Sequence, residues 1–168
     1  MMEILELNTI GEQKVWAERI RLCDWGAAKL LADLVEQDKF NELLGAGSLY
    51  IMADGEKIVS FCTLSQRDCV KDDMLFPWIG FVFTAPEYRG NRYSGQLIDF
   101  VCNKAKEQGY KRVYIATDHI GLYEKYGFTK KMRAYRFWAE KAGITQNSEI
   151  VKRIMNNSNT HKIILENE

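Results

Sequence analysis

The chain has 168 residues, of which 46% are hydrophobic, and its 23 basic and 23 acidic side chains leave no net charge. This length and apolar content predict one globular domain over residues 1–168 and exclude a disordered chain. The neutral total argues against general nucleic-acid binding.

The N-terminal segment and the cysteines indicate where the protein works. Residues 1–10 contain Glu3 and Glu6 and no long apolar run, so we expect no signal peptide and no membrane partner. The four cysteines form no Cys-x-x-Cys pair and only two histidines are present, so no metal site is expected. Cysteines without a secretory signal favour the cytoplasm.

Charge is unevenly spread along the chain. Residues 1–80 hold 14 acidic and 8 basic side chains, whereas residues 81–168 hold 9 acidic and 15 basic ones. A basic second half would suit an anionic cofactor, and bases that simply coat solvated faces explain it equally well.

The first third of the chain predicts helices followed by a loop. Residues 13–22 and 24–38 have apolar side chains at helical spacing, and Asp24 is placed to cap the second helix. Residues 41–48, which include two glycines, are expected to form a loop.

Short β-rich runs follow this loop. Residues 48–53 and 57–64 are separated by Asp-Gly-Glu, which predicts a β-hairpin. Residues 75–84 are apolar on both alternations, as in a strand buried on both faces, and Pro86 marks its end.

A strand–helix–strand unit occupies the centre of the sequence. After the strand at 75–84, residues 94–108 predict a helix that ends before Gly109, and residues 110–117 predict another strand. The two strands should therefore be parallel and joined by a right-handed crossover.

The last third predicts a short helix and two more strands. The helix covers 120–126 and a long strand 129–138, which completes a core over 1–138. The C-terminal extension, 139–168, contains a β-rich run at 161–165 that we expect to pair with 129–138.

The loop between the first central strand and its helix is a candidate anion site. Free N–H groups at a helix start attract anions, Gly90 and Gly95 permit close approach, and Arg89 and Arg92 add charge. Such residues often form only a turn, and no Walker phosphate loop is present because Gly-Lys-Ser/Thr is missing.

Two segments resemble motifs of the GNAT superfamily of N-acetyltransferases. Residues 85–98 read APEYRGNRYSGQLI, which is similar to the family's acetyl-CoA loop, and residues 121–128 read GLYEKYGF, which is similar to its Leu-Tyr-x-x-x-Gly-Phe segment. The resemblance covers about 75–128 most closely. It implies an α/β fold with a central, mostly antiparallel mixed sheet, one parallel splayed pair and helices on both faces.

The resemblance also implies a cosubstrate, acetyl-CoA, and the residues that hold it. The pyrophosphate would lie on the loop and the pantetheine arm along the first central strand. The implied cofactor-binding residues are Val82, Phe83, Thr84, Arg89, Gly90, Asn91, Arg92, Tyr93, Ser94 and Gly95. Arg92 and Ser94 stand where the family usually has its two signature glycines, which leaves the details of the pyrophosphate contact in question.

Catalysis by acetyl transfer would need a general acid and a general base. By resemblance, Tyr123 lies near the cofactor sulfur and protonates the leaving thiolate, although a core tyrosine is the alternative. Neither central strand carries a carboxylate, so Asp118 is a weak candidate base, with Asp68, Asp72, Asp73 and His119 also considered beside a water relay. A helix cap is an ordinary role for Asp118.

The acceptor is expected to be an amine on a small molecule or a peptide, and a homodimer is left open. Trp25, Trp78 and Trp138 could line its pocket, although large aromatics more often belong to the core. Two other functions fit the same residues: a CoA-binding regulatory module, or an interaction domain whose arginine loop binds acidic or phosphorylated partners.

Overall fold

The computed structural model describes residues 1–70, 72–135 and 161–168, with side chains omitted at 132–135 and 161–162. Seven strands form one mixed sheet in the order β1-β2-β3-β4-β5-β7-β6. The strands are β1 Met2–Glu6, β2 Gly47–Asp54, β3 Lys57–Ser65, β4 Trp78–Thr84, β5 Val113–Thr117, β6 Thr129–Tyr135 and β7 His161–Asn167.

The part of the chain that the structure describes has four α-helices beside the sheet: α1 Gln13–Arg21, α2 Gly26–Glu36, α3 Phe40–Leu44 and α4 Tyr93–Glu107. The apolar stripe of α4, including Leu97 and Val101, packs on one face of the sheet, which we call the α4 face. Helices α1 and α2 pack on the opposite face, the α1–α2 face, through residues such as Trp16 and Leu31. The expected α/β fold with helices on both faces is confirmed.

Among the described strands, β4 and β5 are the one parallel pair, and the other neighbouring pairs are antiparallel. The parallel pair is the product of the crossover through α4, as the sequence predicts. Gly109, with φ of 90°, follows the C-cap residue Gln108 and ends α4 as expected.

The hairpin between β2 and β3 also forms where the sequence places it. Asp54 pairs with Lys57, which leaves a two-residue loop of Gly55 and Glu56. Gly55 has φ of 59°, a value that a tight hairpin requires and that glycine adopts without strain.

Four features of the first two-thirds of the chain differ from the sequence predictions. Residues 40–44 form α3, so the predicted loop at 41–48 begins only at Gly45. Strand β1 was not predicted; it is a short edge strand paired with β2. Helix α2 starts after Trp25, and no side chain caps it, so Asp24 is not a cap. Strand β4 begins at Trp78, because the preceding Pro77 has no N–H to donate.

The C-terminal strand β7 lies between β5 and β6 and pairs with both. Pairing with β6 confirms the expectation for 161–165, and pairing with β5 goes beyond it. The parts of the predicted strand and extension at 136–160 lie outside the described residues. Within β7, Ile164 and Leu165 are fully buried, on opposite faces of the sheet.

The burial of β7 predicts a large energetic effect for a side chain near the end of the chain. Leu165→Ala should lower the free energy of unfolding by about 2–5 kcal/mol, because it leaves a cavity in the α4-face core. The matched control is Leu22→Ala, at a leucine that is 82% exposed, and it should change stability by less than about 0.5 kcal/mol. Chemical denaturation of both variants measures the difference; equal losses would contradict the position of β7.

Candidate functional site

The central parallel pair is joined over only two residues. Trp78 pairs with Tyr114 and Ile79 with Ile115, and beyond this point β4 continues to Thr84 with no partner among the described strands on its β5 side. A gap therefore opens between the carboxyl halves of β4 and β5. In parallel structures of this kind, ligands bind at the carboxyl ends of the strands.

A β-bulge in β4 contributes to this divergence. Phe61 pairs with Phe83 but Thr63 pairs with Gly80, so β4 has one extra residue in this stretch. Phe81, inside the bulge, has φ of 49°, which is unusual for an aromatic residue and costs on the order of 1–3 kcal/mol. A bulge bends its strand and redirects the backbone, here next to the gap.

The backbone of β4 presents alternate residues to the gap. The Ala85 N–H donates to Val59 O and the Phe83 carbonyl accepts from the Ser60 hydroxyl, so both residues face β3. Because backbone polar groups alternate in a strand, Val82 and Thr84 direct their N–H and C=O groups into the gap. The Thr84 carbonyl accepts a hydrogen bond from Arg89 Nε at 3.1 Å.

The loop that follows β4 leads into the N-terminus of α4. Gly90 has φ of 83°, and a Cβ placed there would have no protein atom within 4 Å. Arg92 is the N-cap residue of α4, and no side chain caps the helix. The first N–H groups of α4 are thus free of a protein cap, and their dipole favours an anion.

A cleft of about 1000 Å³ connects the gap, this loop and the second motif segment. Its size is that of a site for a large organic ligand. Its lining residues come from the α1–α2 connection, β4, the loop, the start of α4 and residues 119–126: Asp24, Trp25, Val82, Phe83, Thr84, Tyr88, Arg89, Gly90, Arg92, Tyr93, Ser94, His119, Leu122, Tyr123, Lys125 and Tyr126.

The sequence profile of the acetyltransferase (GNAT) family matches residues 14–128, more than half of the chain. The chain belongs to the GNAT acetyltransferase family. No curated protein matches it by sequence.

Solved structures with the same fold include relatives that hold the cosubstrate. A GNAT family acetyltransferase from Elizabethkingia anophelis with acetyl-CoA bound has a TM-score of 0.63 and 22% identity, over 99% of this chain and 97% of that one. A putative streptothricin acetyltransferase from Bacillus anthracis in complex with acetyl coenzyme A has a TM-score of 0.52 and 18% identity, over 77% and 67%. An aminoglycoside 6'-acetyltransferase type Ii has a TM-score of 0.61 and 13% identity, over 99% and 95%.

The GNAT loop contains an arginine at a glycine position, and its backbone shows why glycine is usual there. Arg92 has φ of 60° and ψ of 25°, the left-handed conformation that glycine adopts at little cost. The Arg92 side chain is exposed and lines the cleft. The arginine therefore keeps the backbone conformation of the turn and adds a positive charge to the lining of the cleft.

Asn91 and Gly95, which the resemblance assigns to the cofactor, do not line the cleft. The Asn91 side chain donates hydrogen bonds to the carbonyls of Tyr88 and Arg89 within the loop. A Cβ on Gly95 would lie 2.6 Å from Cε1 of Tyr126. These two residues shape the loop and seat α4 against the second motif segment.

Tyr123 belongs to the second motif segment, next to Tyr126, whose hydroxyl lies 3.1 Å from Ser94 Oγ of the loop. It is 6% exposed, packs against Tyr126 and Phe128, and lines the cleft. Burial is the main cause that raises the pKa of Tyr123 above its ordinary value, and the nearby Cys62, Tyr126 and Asp68 add to it. The phenol is therefore neutral at physiological pH and able to donate a proton.

The residues considered as general base lie in different parts of the structure. Asp118 is exposed and does not line the cleft, and the short helix after it begins at Tyr123 with Leu122 at its N-cap, so Asp118 does not cap it. His119 lines the cleft and its backbone N–H donates to Thr117 Oγ1 at 2.9 Å. Asp68 instead lies against Gly80 of β4.

The α1–α2 connection contributes residues that the sequence only partly indicated. Trp25 stacks on Phe83 with 5.7 Å between ring centroids and 14° between planes, so one of the three candidate tryptophans reaches the cleft. Trp78 is fully buried in the core, and Trp138 lies outside the described residues. Asp24, interpreted from the sequence as a helix cap, lines the cleft instead.

Arg21 links α1 to α2 and so stabilises the connection that contains Asp24 and Trp25. Its guanidinium, on α1, forms ion pairs with Asp33 and Glu36 on α2. The turn between the helices is thereby held at the mouth of the cleft.

The described part of the chain contains neither a candidate metal site nor a helix suited to span a membrane. No group of three or more His, Cys, Asp or Glu side chains there could hold a metal ion. In the same residues, no helix has the length and apolar character needed to cross a bilayer.

The geometry of Gly90 predicts a selective loss of ligand binding. Gly90→Val should raise the Kd for acetyl-CoA at least tenfold, because a branched side chain would occupy the space in front of the loop. The matched control is Gly55→Val, at a hairpin glycine that also has positive φ and no neighbour within 4 Å. Both variants should lose about 1–2 kcal/mol of stability from backbone strain. Calorimetric titration separates them, and equal Kd values for both would place the ligand elsewhere.

Proposed function

We propose that the protein transfers the acetyl group of acetyl-CoA to an amine by direct attack in a ternary complex. The observation that carries this proposal is the gap between β4 and β5, which opens into the same cleft as the uncapped start of α4 and Tyr123. The family membership and the acetyl-CoA-bound structural neighbours support it.

The cosubstrate fits this cleft in two parts. Its pyrophosphate would bind the N–H groups at the start of α4, with Arg89 and Arg92 as nearby cations. Its pantetheine amides would pair with the backbone groups of Val82 and Thr84, as a strand does when it adds to an open edge. Both regions line the cleft, and no side chain caps the start of α4.

The reacting thioester would then lie at the bulge of β4. A backbone N–H that faces the gap, such as that of Val82, would stabilise the negative charge that develops on the carbonyl oxygen. Tyr123 would give its proton to the thiolate as the C–S bond breaks. None of the four cysteines is needed as a nucleophile: Cys62 is fully buried, and burial raises its pKa well above the ordinary value.

The acceptor would enter from the side of the α1–α2 connection. Trp25 offers an aromatic surface there and Asp24 a negative charge, a combination that suits a cationic amine. Two structural neighbours are named for streptothricin and aminoglycoside acetylation, which makes small polyamino compounds the first acceptors to test.

A thiol-release assay with acetyl-CoA and a panel of aminoglycosides, streptothricin-like compounds, polyamines, amino acids and peptides tests the proposal. Turnover with at least one amine, with the acetylated product identified by mass spectrometry, is the expected result. Tight CoA binding without turnover on any amine would favour the regulatory module.

Tyr123→Phe should reduce the single-turnover rate by about 100-fold or more, because it removes the proton donor and keeps the ring. The Kd for acetyl-CoA should change little, since the loop is untouched. Tyr110→Phe, at a half-buried tyrosine outside the cleft, is the matched control and should retain the wild-type rate. A full single-turnover rate in Tyr123→Phe would remove this residue from the mechanism and leave it as a core aromatic.

A further inference from the structure

A hydrogen bond joins the start of α4 to the segment that contains Tyr123. Ser94 is the second residue of α4, and Tyr126 is the last residue of the short helix Tyr123–Tyr126. The Ser94 Oγ and the Tyr126 hydroxyl oxygen are 3.1 Å apart, and either group can donate the hydrogen bond. Both side chains line the cleft. Glycine, which the family usually has at position 94, has no side chain that could form this bond.

Close packing holds the Tyr126 ring against the same turn of α4. A Cβ placed on Gly95 would lie 2.6 Å from Tyr126 Cε1 and 3.1 Å from its Cζ, so the ring lies directly against the helix backbone. Tyr126 is half-buried and packs against the α4-face core. The hydrogen bond to Ser94 and the contact at Gly95 together restrict how far Tyr126 can move relative to α4.

The Tyr126 ring in turn contacts the ring of Tyr123. Their centroids are 6.3 Å apart and their planes meet at 74°, an edge-to-face arrangement that aromatic pairs favour. The two residues are the first and last of one short helix, so a displacement of Tyr126 also moves the backbone that carries Tyr123. Contacts therefore run without interruption from the start of α4 through Tyr126 to the buried phenol of Tyr123.

These contacts tie together two segments beyond the point where their strands separate. Helix α4 follows β4 and the Tyr123 segment follows β5, and the described pairing of these strands ends at Ile79 and Ile115. In the proposed function, the phosphates of acetyl-CoA bind at the start of α4 and its sulfur lies near Tyr123. Binding energy from the distant phosphates can accelerate the reaction only when the protein holds these two ends in a fixed relative geometry.

We propose that the Ser94–Tyr126 hydrogen bond is a positioning link, which sets Tyr123 relative to the phosphate-binding start of α4. Through this link, the nucleotide part of acetyl-CoA raises the rate of acetyl transfer and not only the affinity. This inference rests on the proposed acetyl transfer. Ser94 and Tyr126 act through Tyr123 and not on the reacting atoms. Without the bond, acetyl-CoA would still bind at the uncapped start of α4, but the thiolate and the Tyr123 phenol would meet less often in the reactive geometry.

Tyr126→Phe and Ser94→Ala each remove one hydroxyl of the pair and keep the surrounding packing. Each variant should lower the single-turnover rate at saturating acetyl-CoA about tenfold, because small misplacements of reacting groups are costly. The double variant should lose no more than about twofold beyond either single variant, because both changes break the same bond. The Kd for acetyl-CoA should stay within about threefold of the wild-type value. Tyr110→Phe, at a half-buried tyrosine outside the cleft, is the matched control and should retain the wild-type rate.

A shortened cosubstrate separates positioning from a general loss of structure. S-acetylpantetheine has the reacting thioester and the amide arm but no nucleotide phosphates. In the wild type, kcat with acetyl-CoA should exceed kcat with S-acetylpantetheine at least tenfold. In Tyr126→Phe and Ser94→Ala this ratio should fall about tenfold, because the bound phosphates no longer help to position Tyr123. General disorder around Tyr123 would instead lower both rates equally and leave the ratio unchanged.

The outcomes distinguish the link from the function on which it rests. Single variants that react within about threefold of Tyr110→Phe, losses that multiply in the double variant, or an unchanged ratio between the two cosubstrates would each overturn the positioning role. A wild-type enzyme without turnover on any amine would instead refute the proposed function, and the positioning role with it.

Discussion

The incomplete pairing of β4 with β5 is the constraint on which the rest of the site depends. Two residue pairs hold the strands together at one end, and the bulge at Phe81 bends β4 away at the other. Buried backbone polar groups need partners, so the divergence creates a demand for hydrogen bonds at Val82 and Thr84. In the proposed function, a ligand with two amides along a flexible arm would supply these hydrogen bonds, and its phosphate would bind at the start of α4.

The same divergence gives the site two chemically different sides. On the α4 face, Tyr123 is buried among Tyr126 and Phe128, so its phenol keeps its proton. On the α1–α2 face, the half-buried Asp68 carboxylate packs against Gly80, where a Cβ would lie only 2.8 Å from its Oδ2 atom.

Much of this architecture could be predicted from the sequence, because local patterns carry it. The apolar run of β4, the glycine after α4 and the Asp-Gly hairpin each have a short-range cause. The short edge strand β1 and the position of Asp68 could not be predicted, because each depends on contacts with residues distant in sequence or across a bulge. The sequence identifies Arg92 as a departure from the motif. Its left-handed backbone conformation, which glycine adopts at little cost, is known from the structure.

Hydrogen exchange of the β4 amides would show whether acetyl-CoA pairs with the gap-facing edge of this strand. Amide NMR with and without saturating acetyl-CoA would compare Val82 and Thr84, which face the gap, with Phe83, which faces β3. Exchange of the Val82 and Thr84 amides should slow at least tenfold on binding, while the exchange rate of Phe83, which is already paired within the sheet, should change little. Unchanged exchange at both gap-facing amides in the presence of bound acetyl-CoA would contradict it.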